Sequence, residues 1–257
     1  MTVGNGIASK GNVSKGTVGK GTDDRGTDDK RKCADAVFPE TKEKQGTEIV
    51  RILKSMYPEA DCTLRCRMPW QLLISAILAA QCTDARVNMI TEGLFKEFPD
   101  IKSFADADMI ALEDRIHSCG FFHAKAKAIK GSMQRILHEY GGEVPSSIDK
   151  LLTLPGVGRK IANLVLGDCF GKQAVVVDTH CLRISGLLGL TESKDPYKVE
   201  KDLMKYIPQS EWSSYGHCIV AHGRAICIAR RPKCSICALQ CVCRYGFNLL
   251  NASPKEK

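Results

Sequence analysis

Residues 154–160 read Leu-Pro-Gly-Val-Gly-Arg-Lys and lie between a short apolar segment and a longer amphipathic one that begins at Arg159. A Pro-Gly-x-Gly turn between two helices can direct successive backbone N–H groups outward beside a helix N-terminus. These free donors and the positive end of the helix dipole suit a phosphate oxygen. The string therefore predicts a helix-hairpin-helix in which Gly156, Gly158 and Arg159 contact a nucleic-acid phosphate, a contact that positions the protein without reading bases. The alternative is an ordinary tight turn between two helices.

Helical periodicity continues on both sides of this hairpin. Apolar residues recur at three-and-four spacing from Ile49 to Met56, and a denser apolar run over 70–80 predicts a central buried helix. Gly, Pro or capping residues separate the remaining predicted helices, which cover 84–97, 107–117, 122–139, 146–153, 158–169, 178–189, 195–206 and 210–228. Only 174–177 has the pattern of a strand, and four residues do not form a sheet. The predicted fold class is all-α.

Composition limits the class of protein. The 257 residues are 44% hydrophobic and carry 37 basic against 29 acidic side chains, a net charge of +8. A chain of this length can bury one large core or two smaller ones, and diffuse positive charge is compatible with a nucleic-acid partner without requiring one. Residues 1–45 are rich in Gly, Lys, Thr and Asp, which predicts a disordered tail of low complexity.

The chain contains 13 cysteines, and neither an apolar leader segment nor an apolar run of roughly 18 residues is present. We therefore expect a cytoplasmic protein with no membrane span, whose thiols stay reduced. Five of the cysteines fall between residues 227 and 243. In a reducing compartment, such a group is better explained by ligation of a metal or cluster than by disulfides.

Four of these cysteines confine their thiolates to one loop with the spacing C-x6-C-x2-C-x5-C: Cys227, Cys234, Cys237 and Cys243. Four convergent sulfurs can bind a tetrahedral zinc or an iron-sulfur cubane. Zinc sites commonly use two close pairs, whereas one close pair occurs here, so the spacing favours the cubane. Cys241 lies in the same loop, and spacing alone leaves the fourth ligand open. The loop also contains Arg230, Arg231 and Lys233, which we predict to contact phosphates once a cluster holds the loop rigid.

Lys160 and Asp178 are the candidate catalytic residues. Lys160 lies in the first turn of the helix after the hairpin, where a cation is unfavourable against the dipole. A desolvated lysine near positive charge supplies a neutral amine that can attack a sugar C1′ to form a Schiff base. A second phosphate contact beside Arg159 is the alternative. Asp178 is predicted to be a helix N-cap whose carboxylate could also stabilise a developing oxocarbenium ion or help to deprotonate Lys160. His180 is interpreted as a structural or phosphate-contacting imidazole.

Three of these features together closely resemble the endonuclease III family of bifunctional DNA glycosylases, in the helix-hairpin-helix Gly-Pro-Asp superfamily. They are residues 154–162, residues 177–180 and the cysteine spacing, and the similarity covers roughly residues 46–247. The resemblance implies that Lys160 is the catalytic amine and Asp178 the catalytic carboxylate. It also implies a [4Fe-4S] cluster whose ligands are Cys227, Cys234, Cys237 and Cys243, with Cys241 as a bystander.

The same resemblance implies a six-helix barrel domain over 69–173 and a second, cluster-bearing domain formed by 46–68 and 174–257, with DNA bound in the groove between them. Residues 81–84, Gln-Cys-Thr-Asp, look like the family's Gln-x-Thr-Asp stretch, whose Gln fills the gap left by an extruded nucleotide. Gln81, Thr83 and Asp84 are thereby implied DNA contacts.

Residues 120–123, Gly-Phe-Phe-His, resemble the family segment that supplies an apolar wedge. Phe121 is the implied wedge, and a large apolar side chain suits the prising open of a base step. Relatives commonly have Tyr where this chain has Phe122, so any hydrogen bond from that phenol is absent. This difference bears on substrate preference.

The implied activity is removal of oxidised or ring-saturated pyrimidines from double-stranded DNA, followed by β-elimination 3′ to the abasic site. The implied protein is a monomer in the cytoplasm, associated with the nucleoid if bacterial. An adenine glycosylase would share the hairpin and the cluster, but relatives of that type lack a lysine at position 160 and carry a further C-terminal domain. Lys160 also argues against a mismatch-specific thymine glycosylase, but less strongly than against an adenine glycosylase. The alternative from another class is a non-catalytic DNA-binding or redox-sensing module.

Overall fold

The computed structural model describes residues 37–251, and the all-α prediction is confirmed for this part of the chain, where helices, turns and loops occur without strands. The predicted tail lies outside the described residues up to position 36. The helices are α1 Lys42–Met56, α2 Pro69–Leu78, α3 Asp84–Glu97, α4 Ile101–Asp106, α5 Met109–Ile116, α6 Phe122–Glu139, α7 Ile148–Leu151, α8 Arg159–Phe170, α9 Thr179–Leu188, α10 Pro196–Tyr206, α11 Trp212–Ala225 and α12 Arg244–Asn251, with short 3-10 turns at His117–Cys119, Gln209–Glu211, Cys234–Ile236 and Gln240–Val242.

The predicted tail boundary at residue 45 is wrong. Helix α1 begins at Lys42, after Thr41, whose hydroxyl accepts the backbone N–H of Lys44. Gln45 is buried and its amide donates to the carbonyls of Leu188 and Val242, each at 2.7 Å. These long-range bonds fix the start of the helix, and local composition does not reveal them.

Two further helices are absent from the sequence prediction. Helix α4 has six residues, too few to show a period, and a capping box between Asp100 and Ser103 defines its start. Helix α12 follows the cysteine loop, where the spacing of the cysteines draws attention away from the apolar pattern of residues 244–251. Helix α2 agrees with the prediction of a central helix, since eight of its ten residues are buried.

Buried apolar side chains form two clusters. The first comprises residues between Leu64 and Ala174 and contains α2 to α8, and the second joins α1 to residues from Val175 to Val242. The chain passes from one cluster to the other between Ala174 and Val175, one residue from the predicted boundary. Assignment of the clusters to two separate domains stays a prediction.

Two arginine ion pairs connect elements of different clusters. Arg159, at the start of α8, forms a two-pronged ion pair with Glu200 of α10, at 2.6 and 2.7 Å. Arg224 of α11 donates to Asp84 of α3 at 2.9 Å. Both pairs lie where the clusters meet, and each ties the first residue of a helix in the first cluster, Arg159 of α8 or Asp84 of α3, to a helix of the second.

None of the helices described is long and apolar enough to cross a membrane.

Candidate active site

A cleft of about 550 Å³ lies between the two clusters. Elements of both clusters line it, including α8 with Lys160 and the start of α9 with Asp178 and His180. The candidate amine and the candidate carboxylate therefore belong to one solvent-filled site, although 17 residues separate them in the chain. Gln81 and Phe121 do not line this cleft, nor does the hairpin that precedes Lys160.

The hairpin is braced by helix α6. The buried hydroxyl of Ser132 donates to the carbonyl of Pro155 at 2.7 Å. Gly156 has φ +74°, and a Cβ at this position would lie 2.7 Å from the Cβ of Ala128, so the position requires glycine on two counts. Gly158 is the N-cap of α8 and offers no side chain to its first N–H groups. These donors stay available to an external acceptor such as a phosphate oxygen.

Lys160 is exposed to the solvent of the cleft, contrary to the expectation of a desolvated lysine. The positive charge of Lys160 acts on the carboxylate of Asp84, which lines the same cleft. Burial raises the pKa of Asp84, but hydrogen bonds from Thr63 and Arg224, together with the charges of Arg224 and Lys160, bring that pKa below its usual value. Thr63 donates to the Asp84 carboxylate at 2.5 Å. The carboxylate nearest to Lys160 in this network is thus engaged by other donors.

Asp178 is the N-cap of α9, as predicted. One carboxylate oxygen accepts the backbone N–H of Cys181 at 2.7 Å. This bond fixes the carboxylate at the edge of the cleft and leaves its second oxygen for another partner. Capping and chemistry are therefore compatible in one side chain.

His180 has an unusual environment within the cleft. Its Nδ1 is buried and has no hydrogen-bond partner among the described residues. A Cβ on Gly223 would lie 2.3 Å from this nitrogen, so α11 closes over it. A buried nitrogen without a partner is less costly as a bare lone pair than as an N–H donor. Of the two ring tautomers, the one with its proton on Nε2 leaves no buried N–H without an acceptor, and it makes Nε2 a donor.

The two candidate insertion residues share a rare backbone conformation. Gln81 has φ +54° and Phe121 has φ +50°, and no other non-glycine residue in the described range has positive φ. Phe121 is 66% exposed although it is a large apolar side chain. Strained, exposed residues of this kind concentrate at functional sites. Beside Gln81, Thr83 acts as the N-cap of α3 and accepts the backbone N–H of Arg86.

The predicted DNA contacts differ in how freely they are displayed. Arg159 is held by Glu200, and its guanidinium lies 4.7 Å from the ring centre of Tyr197. A phosphate contact by Arg159 would have to share or replace the Glu200 bond. By contrast, the structure exposes all three basic residues of the cysteine loop, Arg230, Arg231 and Lys233.

The four cysteines border one small cavity of about 30 Å³ between α9, α11 and the loop, lined by Cys227, Cys234, Cys237, Cys243 and mostly apolar side chains. Cys241 does not line it. Among the described residues, no three potential ligands converge as they would on a single metal ion. The sulfurs therefore surround a space rather than a point.

Three of the four sulfurs that border this cavity lie within hydrogen-bond distance of a nitrogen. Arg183 donates to the Cys227 sulfur at 3.5 Å, the Gly246 N–H lies 3.4 Å from the Cys243 sulfur, and a His222 nitrogen lies 3.6 Å from the Cys237 sulfur. Burial raises the pKa of the Cys237 thiol to about 12. Donors to sulfur are typical of protein environments that hold iron-sulfur clusters.

Sequence reasoning missed several cleft residues whose partners are distant in the chain. Thr63 and Arg224 secure Asp84, as described above. His217 lines the cleft and its Nε2 lies 2.9 Å from Asp168. Burial lowers the pKa of His217, but the hydrogen bond and the charge of Asp168 raise it above its usual value. Single threonines, arginines and histidines carry no local motif, so the sequence offered no signal for them.

Comparison with known proteins gives consistent matches. Residues 74–209 match the HhH-GPD superfamily of base excision DNA repair proteins. Endonuclease III from Synechocystis sp. is 50% identical over 204 residues, which are 79% of this chain and 93% of that protein. Endonuclease III from Bacillus subtilis is 41% identical over 192 residues, 74% of this chain and 88% of that protein.

Solved structures agree. The structure of a non-covalent Endonuclease III-DNA complex matches with a TM-score of 0.77 and 39% identity, covering 83% of this chain and 100% of that chain. A thermostable thymine-DNA glycosylase matches with a TM-score of 0.71 at 21% identity, covering 80% of this chain and 98% of that one, a likeness that concerns the fold alone.

Proposed function

The chain belongs to the endonuclease III family of base excision repair DNA glycosylases, and from this premise we propose that it removes oxidised pyrimidines and then cleaves the strand 3′ to the abasic site. The family was predicted from the sequence and is confirmed by the matches above. The lesion class and the lyase step are the parts that we propose.

The observation that carries the proposal is the joint placement of Lys160 and Asp178 in one cleft. The Lys160 amine, once neutral, attacks C1′ of an extruded nucleotide, and the bond from C1′ to the base breaks with its electron pair leaving on the base. The free oxygen of the Asp178 carboxylate stabilises positive charge on the sugar and accepts the proton released by the amine. Asp178 is already oriented by its bond to the Cys181 N–H.

Loss of the base leaves Lys160 bonded to C1′ as an aminal; its C1′–O4′ bond then breaks, O4′ takes back the proton held by Asp178, and the opened sugar carries a protonated Schiff base to Lys160. The lyase step follows from this Schiff base. A protonated imine acidifies the C2′ proton, whose removal forms a C1′–C2′ enamine and then expels the 3′ phosphate by β-elimination. Water finally hydrolyses the imine and releases the lysine. A hydrolytic glycosylase without this amine would leave the strand intact, so strand cleavage is the feature that separates the two reaction types.

DNA would be held by contacts that surround the cleft. The free N–H groups at Gly158 suit a backbone phosphate, and the Nε2 of His180 is placed to donate. Phe121 and Gln81 would enter the duplex when a nucleotide is extruded, because a flipped base leaves a gap that must be filled. We infer that the partner is double-stranded DNA with a damaged base or abasic site, bound by a monomer, and that the protein acts in the cytoplasm.

We further infer that Cys227, Cys234, Cys237 and Cys243 hold a [4Fe-4S] cluster. The residues fit such a group because their sulfurs border one largely apolar cavity and receive hydrogen bonds. When bound, the cluster supplies a rigid cross-link; neither base removal nor β-elimination requires electron transfer. Its effect on function would be to fix Arg230, Arg231 and Lys233 for contact with phosphates.

Borohydride trapping tests the reaction. Wild-type protein incubated with an abasic-site duplex and sodium borohydride should form a covalent protein–DNA adduct, because the reductant converts the imine to a stable amine. Lys160→Ala should abolish the adduct while keeping affinity for undamaged duplex. Lys172→Ala is the matched control, since Lys172 follows the other end of α8 and bonds to Ser146 instead. No adduct with the wild type would refute the lyase step, and an adduct that survives Lys160→Ala would refute the role of that residue.

A further inference from the structure

One buried lysine contacts the backbone leading to both candidate insertion residues. Lys125 lies in the first turn of α6 and is 5% exposed. Its ammonium donates to the carbonyl of Leu78 at 2.8 Å and to the carbonyl of Cys119 at 2.9 Å. Its backbone N–H donates to the carbonyl of Phe121 at 3.0 Å. Through these three bonds a single residue holds segments that are distant in the chain.

The two residues whose carbonyls accept from the Lys125 ammonium are each the last residue of a helical segment. After each of them the chain enters an insertion loop, the short segment that leads to Gln81 or to Phe121. Leu78 is the last residue of α2, three residues before Gln81. Cys119 is the last residue of the 3-10 turn, two residues before Phe121. Contacts at these points set where each loop begins, so they control the position of the residue at its tip.

Burial of the Lys125 ammonium is unfavourable because the charge loses its hydration, and an apolar side chain of similar length would fill the same space. Specific interactions must therefore offset this cost. The two acceptors are carbonyl oxygens at the ends of helical turns, where a cation is favourable. An apolar side chain would leave both carbonyls without this donor. The specific gain from the charge is a fixed distance between the ends of α2 and the 3-10 turn.

We propose that Lys125 is a positioning residue that holds Gln81 and Phe121 as one unit, so that both enter the duplex together during extrusion of a nucleotide. The inference rests on the proposed function of the cleft and assigns no chemical step to Lys125. Both tip residues have positive φ, a conformation that persists only where the surrounding structure imposes it. The bonds from Lys125 lie at the base of both loops and supply that constraint.

A double-mutant cycle tests this coupling. Lys125→Met removes the ammonium and keeps the length of the side chain. We expect base removal from a duplex with a single oxidised pyrimidine to slow by about ten- to a hundredfold under single-turnover conditions, the usual effect of losing charged hydrogen bonds. Affinity for undamaged duplex should change by less than about twofold, because Lys125 is buried.

The decisive comparison is made in the Phe121→Ala background. If Lys125 acts through the insertion residues, adding Lys125→Met to Phe121→Ala should slow base removal by less than about threefold further. A fluorescent 2-aminopurine beside the lesion reports unstacking directly, and Lys125→Met should delay its signal before any base is removed. Lys130→Met is the matched control: Lys130 lies on the same helix and donates to the carbonyl of Ala107 at 2.7 Å, away from both loops.

Two results would overturn the inference. One is an equal loss from Lys125→Met in the wild-type and Phe121→Ala backgrounds, and the other is an equal loss from Lys130→Met. Should Lys125→Met fail to fold, Lys125→Leu, which also lacks a donor, serves in the same cycle with the same criterion. A wild-type protein that unstacks 2-aminopurine but removes no base would refute the proposed function, while the unstacking signal would still test Lys125.

Discussion

Replacement of Phe121 by glycine should separate stability from activity in this protein. Phe121 has φ +50° and lies at the N-cap of α6 without a side-chain capping bond. A left-handed conformation costs a non-glycine residue roughly 1–2 kcal/mol, and glycine also suits an N-cap better than a large apolar residue. Because Phe121 is 66% exposed, its loss removes little buried apolar area.

The magnitude follows from two opposing contributions. Relief of the left-handed backbone favours Phe121→Gly by about 1–2 kcal/mol, while the greater freedom of glycine in the unfolded chain opposes it by about 0.5–1 kcal/mol. The free energy of unfolding should therefore stay constant or rise by up to about 1 kcal/mol, equivalent to an increase in Tm of about 2–4 °C for a chain of this size. Base removal should nevertheless fall, since the wedge is gone.

Thermal and urea unfolding of both variants, with single-turnover base removal alongside, checks these values. Phe122→Gly is the control, because Phe122 is the first residue of α6, is half-buried against the first cluster, and its ring centre is 4.4 Å from that of His117. That change should lower the free energy of unfolding by about 1 kcal/mol or more. A loss of more than about 1 kcal/mol for Phe121→Gly, or wild-type base removal by Phe121→Gly, would refute the reasoning.

Three further predictions concern the cleft and the cysteine cavity. Asp178→Asn should keep the cap on α9, leave the free energy of unfolding within about 0.5 kcal/mol of wild type and lose base removal. Asp178→Ala should lose base removal and also destabilise the protein by about 1 kcal/mol in urea unfolding. Equal activity of Asp178→Asn and wild type would contradict a role for the charge. Protein purified without oxygen should be yellow-brown and contain about four irons per chain, as expected for a cubane. Cys243→Ser should lose iron, while Cys241→Ser should keep it. Iron loss in both variants would contradict the assignment of the four cavity cysteines as the ligands. Asp168 raises the pKa of His217, so this pair stabilises the fold fully below the ordinary histidine pKa and loses its effect as pH rises through the raised value. His217→Gln should therefore lower the free energy of unfolding more at pH 5.5 than at pH 9. A constant difference across that range would argue against the ion pair.

Features set by local pattern could be predicted from the sequence. The hairpin, the buried helix α2 and the capping role of Asp178 each depend on neighbouring residues. The placement of Lys160 and Asp178 in one cleft was expected from the family resemblance and not from the local pattern. The structure agrees with the sequence on these points.

Features set by distant partners could not be predicted. Nothing near Gln45 indicates that its amide bonds to Leu188 and Val242, and so the tail boundary was wrong. Arg159 was interpreted as a phosphate contact from its place beside the hairpin, whereas its bond to Glu200 depends on a residue 41 positions away. The exposed state of Lys160 likewise depends on how widely the two clusters stand apart.

The exposure of Lys160 changes where its activation has to come from. An ammonium in water is strongly favoured over the neutral amine, and a direct ion pair with Asp84 would favour it further. In this structure Thr63 and Arg224 donate to the Asp84 carboxylate, so this acid is already engaged by other partners. Two helix N-termini, those of α8 and α9, add positive potential to the same cleft. In the mechanism that we propose, bound DNA would expel the remaining water, and the proton of Lys160 would pass to Asp178. The substrate itself would thereby complete the environment in which the Lys160 amine acts as a nucleophile.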